Sequence, residues 1–287
     1  MDIARQTKTE PLTEVRAYGV VPSDRSLDEH ARLREDIQVR GFSVMESVLN
    51  GDEVDRLTKV MDRIYAAQCA EVGGEANLKH INDADIVRCM LAYDQEYMDL
   101  ATHPRLIAGI KALLGENFVL LMQNGVINRP DRVQFQTAWH RDLNYQHWVS
   151  TRPLAISTLV TLEDFNDETG GTAFLPASQR FEEFPSDDLT RSLQVTPHVP
   201  RGSFIIFDSM TFHRAGVNRS DRVRRGVNHV FGSPILSQQV DIPAMLGKDA
   251  PEDPWLAGFL GYRWNPVQDV TAWRLRKINS AAPGVRS

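Results

Sequence analysis

Two histidines and one aspartate are the residues of this chain best equipped to do chemistry. His140 and Asp142 stand two apart in the run Gln136-Thr137-Ala138-Trp139-His140-Arg141-Asp142, and His213 follows much later. In such an H-x-D…H pattern, two imidazoles and one carboxylate can take one face of an Fe(II) ion. Its other positions then stay open to oxygen and an organic ligand. The expectation is an oxygen-using enzyme. Trp139, Asn144, Tyr145, Trp148 and Arg152 surround the H-x-D pair in sequence and are the candidates to line a substrate pocket. His147 lies outside the ligand pattern, and His229 reads as a core histidine.

Those ligands need a scaffold that brings distant segments together. From residue 27 to about 115 apolar residues recur at helical intervals, as in Val54, Leu57, Val60, Met61 and Ile64, with Asn50 or Asp52 able to cap the start. One short strand is expected over 40–45, and one helix over 97–114, stopped by Gly115. From Asn117 the texture changes to short β-rich runs at 118–122, 154–162, 172–175, 203–207 and 226–231, punctuated by turn residues. A helical start followed by many short strands predicts an antiparallel barrel or sandwich with helices outside. Because side chains alternate along a strand, His140 and Asp142 can share one face. The chain divides into a loose arm (1–26), a single catalytic domain (27–232) and an extension (233–287). In that extension Trp255, Trp264 and Trp273 are expected to pack on the core or on a second subunit.

Composition limits the partners. At 287 residues, with net charge −6 and a pI of about 5.8, the chain has no global positive field to gather nucleic acid or an anionic membrane. No stretch approaches the length of a membrane span, and the first 25 residues lack an apolar signal region. Cys69 and Cys89 show no disulfide or CxxC spacing, which suits a reducing cytoplasm. A cytoplasmic monomer or homodimer acting on a small molecule is expected.

Longer motifs carry a family resemblance. The segment from His213 to Arg225, His-Arg-Ala-Gly-Val-Asn-Arg-Ser-Asp-Arg-Val-Arg-Arg, resembles the H-x-x-G-x-N-x-S…R segment of the phytanoyl-CoA dioxygenase (PhyH)-like enzymes. The run from Asp167 to Gln179 is similar to that family's E-N-G…P-G-S-H turn, with Thr169, Ala177 and Gln179 in place of Asn, Gly and His. The start around Gly41 and the helix from Asp52 match as well, so the resemblance covers roughly residues 30 to 232.

The resemblance implies a double-stranded β-helix (jelly-roll, cupin-like) core, mainly β with flanking helices. It also implies an Fe(II)- and 2-oxoglutarate-dependent dioxygenase that uses O2 and releases succinate and CO2. The iron ligands would be His140, Asp142 and His213. Arg224, eleven residues beyond His213, would grip the far carboxylate of 2-oxoglutarate, for which a guanidinium is suited by its paired donors and permanent charge. Gln123 and its neighbour Met122 match positions that contact 2-oxoglutarate in different relatives. Ser220, Gln136 and Thr172 are further co-substrate candidates, each with a competing explanation: turn chemistry, backbone bonding and β-propensity respectively. Hydroxylation of an aliphatic C–H is the expected outcome. Desaturation, cyclisation and epoxidation use the same centre. A non-catalytic β-helix binding module or a metal cupin working without 2-oxoglutarate would be favoured by loss of a ligand or of the arginine, and neither is lost. Arg141, Arg152 and Arg263 offer charge for an anionic group on a small substrate, and the run 144–152 favours a polar one.

Overall fold

The computed structural model describes residues 18–19, 28–130, 132, 135–247, 249–264, 266–267 and 269–280; the arm of residues 1–26 thus lies almost wholly outside the described residues. In chain order the elements are α1 (Glu29–Val39), β1 (Phe42–Met45), α2 (Gly51–Glu71), α3 (Glu75–His80), β2 (Ile86–Arg88), α4 (Gln95–Ala101), α5 (Pro104–Leu114), β3 (Val119–Asn128), β4 (Ala155–Thr161), β5 (Thr172–Phe174), α6 (Asp187–Leu193), β6 (Phe204–Asp208), β7 (His213–Ala215), β8 (Arg224–Gly232), α7 (Ile242–Leu246), α8 (Pro254–Phe259) and α9 (Val270–Ser280). Among the described residues, no helix is long and apolar enough to cross a membrane.

A six-stranded antiparallel sheet runs in the order β1-β6-β4-β8-β3-β2. It faces a small sheet of β5 and β7, widened by isolated bridges that add His140 beside β7 and Val195 beside β5. This is the double-stranded β-helix, and alternation along its strands explains how it is filled. Phe204 and Ile206 of β6 point outward to the helices. Ile205 and Phe207 point inward, where Phe42 stacks on Phe174 of the small sheet at 4.7 Å between ring centroids.

The outer face is covered by α1, α2 and α5. Asn50 and Glu53 close a reciprocal capping box at the start of α2, whose Val54, Leu57, Met61 and Ile64 form one buried stripe. Each such side chain contributes about 1.5 to 3 kcal/mol of burial. Arg225, on the outer face of β8, bonds both Asp62 of α2 and Glu163, tying helix to sheet. In the C-terminal extension, Phe259 and Leu260 join the main core, and Trp255 stacks on Phe259 with ring centroids 5.1 Å apart.

Three local expectations change. The single helix over 97–114 is two helices, α4 and α5. Pro104 supplies no backbone N–H and sits at the first position of α5, so it starts a helix where it would break one. Strands β2 and β7, of three residues each, lie outside the expected runs: β2 interrupts the stretch whose apolar spacing reads as helical, and β7 carries one apolar residue, Ala215, to mark it. His140 and Asp142 do not lie on a regular strand either. His140 exchanges two 3.0 Å backbone hydrogen bonds with His213, and the Asp142 N–H donates to the Ser209 carbonyl. The pair shares a face all the same.

Candidate metal centre and adjoining cavities

The small sheet builds the ligand cluster. His140 and His213 are bridge partners, so their imidazoles stand side by side with centroids 4.3 Å apart. The ligand atoms of His140, Asp142 and His213 all lie within 4.8 Å of one another, and Asp142 Oδ1 is 3.6 Å from His213 Nε2. Each Nδ1 is held by a backbone carbonyl two residues earlier: Ala138 at 2.9 Å for His140, Thr211 at 3.0 Å for His213. With Nδ1–H donating there, each ring offers Nε2 to a metal, the usual way in which an outer contact sets tautomer and direction. Burial, with the neighbouring His140, holds His213 well below the usual histidine pKa and therefore in the neutral form a metal requires. Asp142 Oδ2 is buried and has no hydrogen-bond partner among the described residues. An unpaired carboxylate oxygen between two aligned imidazoles fits a divalent cation.

Arg141 faces away from this cluster. Its guanidinium donates to the carbonyls of Met210, Glu182, Ser178 and Phe181 and lies 3.8 Å from the Phe212 ring centroid. The expectation that it could pair with a substrate anion is corrected: Nε binds the turn between β6 and β7 and the two terminal nitrogens bind the loop after β5, so the whole fork pins the segment 140–142 in place.

The three candidate ligands open into a cavity of about 270 Å³, and Arg224 lines it from β8. Arg224 is buried, donates from Nη2 to the Gly170 carbonyl at 2.7 Å, and lies 4.2 Å from the Phe165 ring centroid. Its Nε has no partner among the described residues. Burial lowers its pKa to about 10 against the opposing pull of Glu163, so it stays cationic at neutral pH. Gly170 adopts φ +72°, and a Cβ there would come within 2.5 Å of the Gly216 carbonyl. Only glycine lets the two turns cross this closely beneath the guanidinium. Met122, Gln136 and Thr172 also line this cavity.

Gln123 does not, and the reason is a β-bulge. Leu120 pairs with Phe231 but Met122 pairs with Val230, so Leu121 is the extra residue and every side chain after it changes face. Met122 and Asn124 then point inward. Gln123 points into the helical layer, where it accepts from the Leu91 N–H, donates to the Tyr97 carbonyl and meets His229 at 3.1 Å. Its assignment as a co-substrate contact is withdrawn.

Ser220 is also corrected. It bonds Asn218 and the Arg222 carbonyl and braces the turn into β8, lining neither cavity described here. Trp139 packs on Phe184 and under Arg214, and Arg152 is exposed; neither lines these cavities. Asn144, Tyr145 and Trp148 do line a second, larger cavity next to Asp142. Arg88, Asn124, Asn228 and Gln239 reach the first cavity and were missed. Asn228 carried a usable signal, standing four residues after Arg224 and hence on the same face of β8; its Oδ1 is buried without a partner among the described residues.

At Ala177 the chain adopts φ +62°, the left-handed conformation that the family's glycine accepts at lower cost. Gln179, in place of the family's histidine, is buried and donates to the Ile37 carbonyl, a structural role.

A family model described as phytanoyl-CoA dioxygenase (PhyH) matches residues 37–226. The uncharacterized protein Rv1501 of Mycobacterium tuberculosis is 29% identical over 237 residues, which cover 79% of this chain and 83% of that one. The dioxygenase olcK of Penicillium canescens is 21% identical over 276 residues, 89% of each chain. Among solved structures, EctD from S. alaskensis with 2-oxoglutarate and 5-hydroxyectoine superposes with a TM-score of 0.61 at 21% identity, covering 83% of this chain and 86% of EctD. The epimerase SnoN in complex with Fe3+, alpha ketoglutarate and nogalamycin RO gives 0.57 at 21% identity, covering 78% and 91%. At these identities the structural likeness speaks for the fold, while the family match spans about two thirds of the sequence. The chain belongs to the phytanoyl-CoA dioxygenase (PhyH) family.

Proposed function

We propose that this chain is an Fe(II)- and 2-oxoglutarate-dependent oxygenase that hydroxylates an aliphatic C–H of a small molecule. One observation carries the reading: the His140–Asp142–His213 cluster and the guanidinium of Arg224 face the same cavity of about 270 Å³. A metal cupin working without a keto acid gives no reason for a buried arginine with an unpaired N–H opposite its metal ligands.

In this reading His140, Asp142 and His213 hold the iron, and Arg224 takes the distal carboxylate of 2-oxoglutarate. When bound, iron and 2-oxoglutarate together activate O2 for attack on a C–H bond, with release of succinate and CO2. The chain's own residues orient and shield. The carbonyls of Ala138 and Thr211 aim the two imidazoles. Phe174 and Phe207 pack against His213 with centroids at 6.0 and 4.7 Å, keeping water from that side. Thr172 and Gln136 flank the co-substrate, and Met122 and Leu159 give the cavity apolar wall. Three protein ligands, with Asp142 intact, favour oxygen chemistry over halide transfer, for which the carboxylate position would be vacated.

Hydroxylation is tested by incubating the iron-loaded protein with 2-oxoglutarate, O2 and candidate substrates, then measuring succinate and product mass. The reading expects stoichiometric succinate and one added oxygen atom. Succinate with a product of unchanged mass would replace hydroxylation by isomerisation, and loss of two hydrogens would replace it by desaturation.

A further inference from the structure

The second cavity measures about 790 Å³ and meets the first along Met122, Asp142, Asn144 and Gln239, which line both. Leu121, Leu143, Leu154, Val230 and Leu236 form its apolar wall, with the segment 235–239 of the C-terminal extension closing one side. Among its described lining residues Asp142 is the only one with a charged side chain, and that carboxylate is turned to His213. The remaining polar groups, such as the amides of Asn144 and Gln239, are neutral.

Among the described residues, no lysine or arginine lines this cavity, and those nearby are turned to other contacts or to solvent. Arg141 is spent on four backbone carbonyls. Arg88, at the boundary, pairs with Asp83 and with the Gln239 amide. Arg152 is exposed and lines neither cavity, and Arg263 lies over Trp264 in the extension. A carboxylate or phosphate seated against Leu121, Leu143, Leu154 and Val230 would meet no cationic side chain among the described lining residues, while the outer part of the cavity, with Tyr145, Trp148 and Ile235 exposed, stays open to water. Burying a charge without a partner is among the costliest things a site can ask of a ligand.

We propose that this cavity takes the body of a neutral, predominantly apolar organic substrate of drug-like size in preference to one that carries an anionic group on that body. The volume lies within the range of ordinary small-molecule sites, and apolar walls with a few neutral polar groups are what such ligands use. Its catalytic meaning rests on the oxygenase reading above. The sequence left an anionic group on the substrate open and favoured a polar molecule from the run 144–152; the proposal departs from both, because Arg141 is bonded to carbonyls, Arg152 lines neither cavity, and the wall built by Leu121, Leu143, Leu154, Val230 and Leu236 is apolar.

Two probes with one skeleton test this: N-phenyl-1-naphthylamine, which is neutral, and 8-anilinonaphthalene-1-sulfonate, its anionic counterpart. Each is titrated by fluorescence into the full chain loaded anaerobically with Fe(II) and 2-oxoglutarate. The neutral probe should bind at least about tenfold more tightly, and Leu236→Lys should cut its affinity about tenfold while narrowing the gap. Leu143→Lys makes the same test from the opposite wall, so one misfolded variant does not decide the matter. Equal or tighter binding of the sulfonate, or neutral-probe binding unchanged in folded Leu236→Lys and Leu143→Lys, would overturn the proposal. The visible absorption of the same samples reports the keto acid on iron separately. A band without neutral preference sinks the chamber proposal alone; neutral preference without a band sinks the oxygenase reading and leaves the chamber proposal standing.

Discussion

Asp142 places Oδ1 at 3.6 Å from His213 Nε2 and leaves Oδ2 buried without a partner among the described residues. In the metal-free protein this oxygen is a burden, and in the metal-loaded one an anchor. Asp142→Ala should therefore leave the metal-free thermal midpoint equal or higher, while abolishing the rise that saturating Fe(II) gives the parent. At a hundredfold excess over Kd that rise corresponds to about 2.7 kcal/mol, or several degrees for a chain of this size. Anaerobic thermal denaturation with and without metal reads both effects. A full metal-induced shift in Asp142→Ala would place the metal elsewhere.

Arg141 stands between two ligands and serves both from behind. Replacing it by Met keeps bulk over Phe212 but removes the donors to the Met210, Glu182, Ser178 and Phe181 carbonyls. Partners bonded directly to ligating side chains are worth roughly 10- to 100-fold in metal affinity, and Arg141, which holds the backbone between two candidate ligands, is placed at the lower end of that range. Arg141→Met should weaken Fe(II) binding by that order in a competition titration, with the stoichiometry still one. Unchanged metal affinity would make Arg141 a matter of stability only.

Gln123 and Met122 are adjacent but belong to different worlds because of the bulge at Leu121. Gln123→Ala strands the Leu91 N–H and the Tyr97 carbonyl in a buried layer, at a cost of about 2 to 3 kcal/mol in urea unfolding. The Kd for 2-oxoglutarate should not move. Weakened keto-acid binding in a variant of normal stability would return Gln123 to the site.

Asp208 gives the stability of the fold a pH dependence. Burial raises its carboxyl from 3.8 to about 6, against the pull of the Met210 N–H and of Arg141. Below pH 4 both folded and unfolded states are protonated and burial carries no charge penalty. Between about 4 and 6 the unfolded state ionises first, so the native state binds more protons and stability falls as pH rises. Above 6 the penalty is fully present, at about 2 to 3 kcal/mol by the size of the shift. Asp208→Asn can keep the acceptor for the Met210 N–H without the charge. It should gain most of that stability at pH 7.5 and almost none at pH 4. An equal gain at both would assign the effect to packing.

The grouping of His140, Asp142 and His213 was legible because metal chemistry restricts residue type, and Arg224 on the same cavity was legible only through the family resemblance of the segment from His213 to Arg225. The helical cover and the sheet were legible from apolar period, as the stripe of α2 and the alternation of β6 illustrate. Family positions and apolar period left two choices unsettled. Of the neighbours Gln123 and Met122, both matched to family positions, the bulge at Leu121 turns Met122 to the cavity, and no propensity marks that bulge. Pro104 split a helix that apolar period alone ran together. The spending of Arg141 on four carbonyls depends on chain segments far apart in sequence, which no local pattern reports.

The most direct test of the central claim is anaerobic addition of Fe(II) and then 2-oxoglutarate to metal-free protein, followed by visible absorption. The account predicts a weak charge-transfer band, because a keto acid reaching the open face of a two-histidine, one-carboxylate site chelates the ferrous ion. It also predicts that Asp142→Ala abolishes the band and that Arg224→Gln raises the 2-oxoglutarate concentration needed for it by about tenfold or more. A protein that binds iron at His140, Asp142 and His213 but shows no band at saturating 2-oxoglutarate would contradict the account.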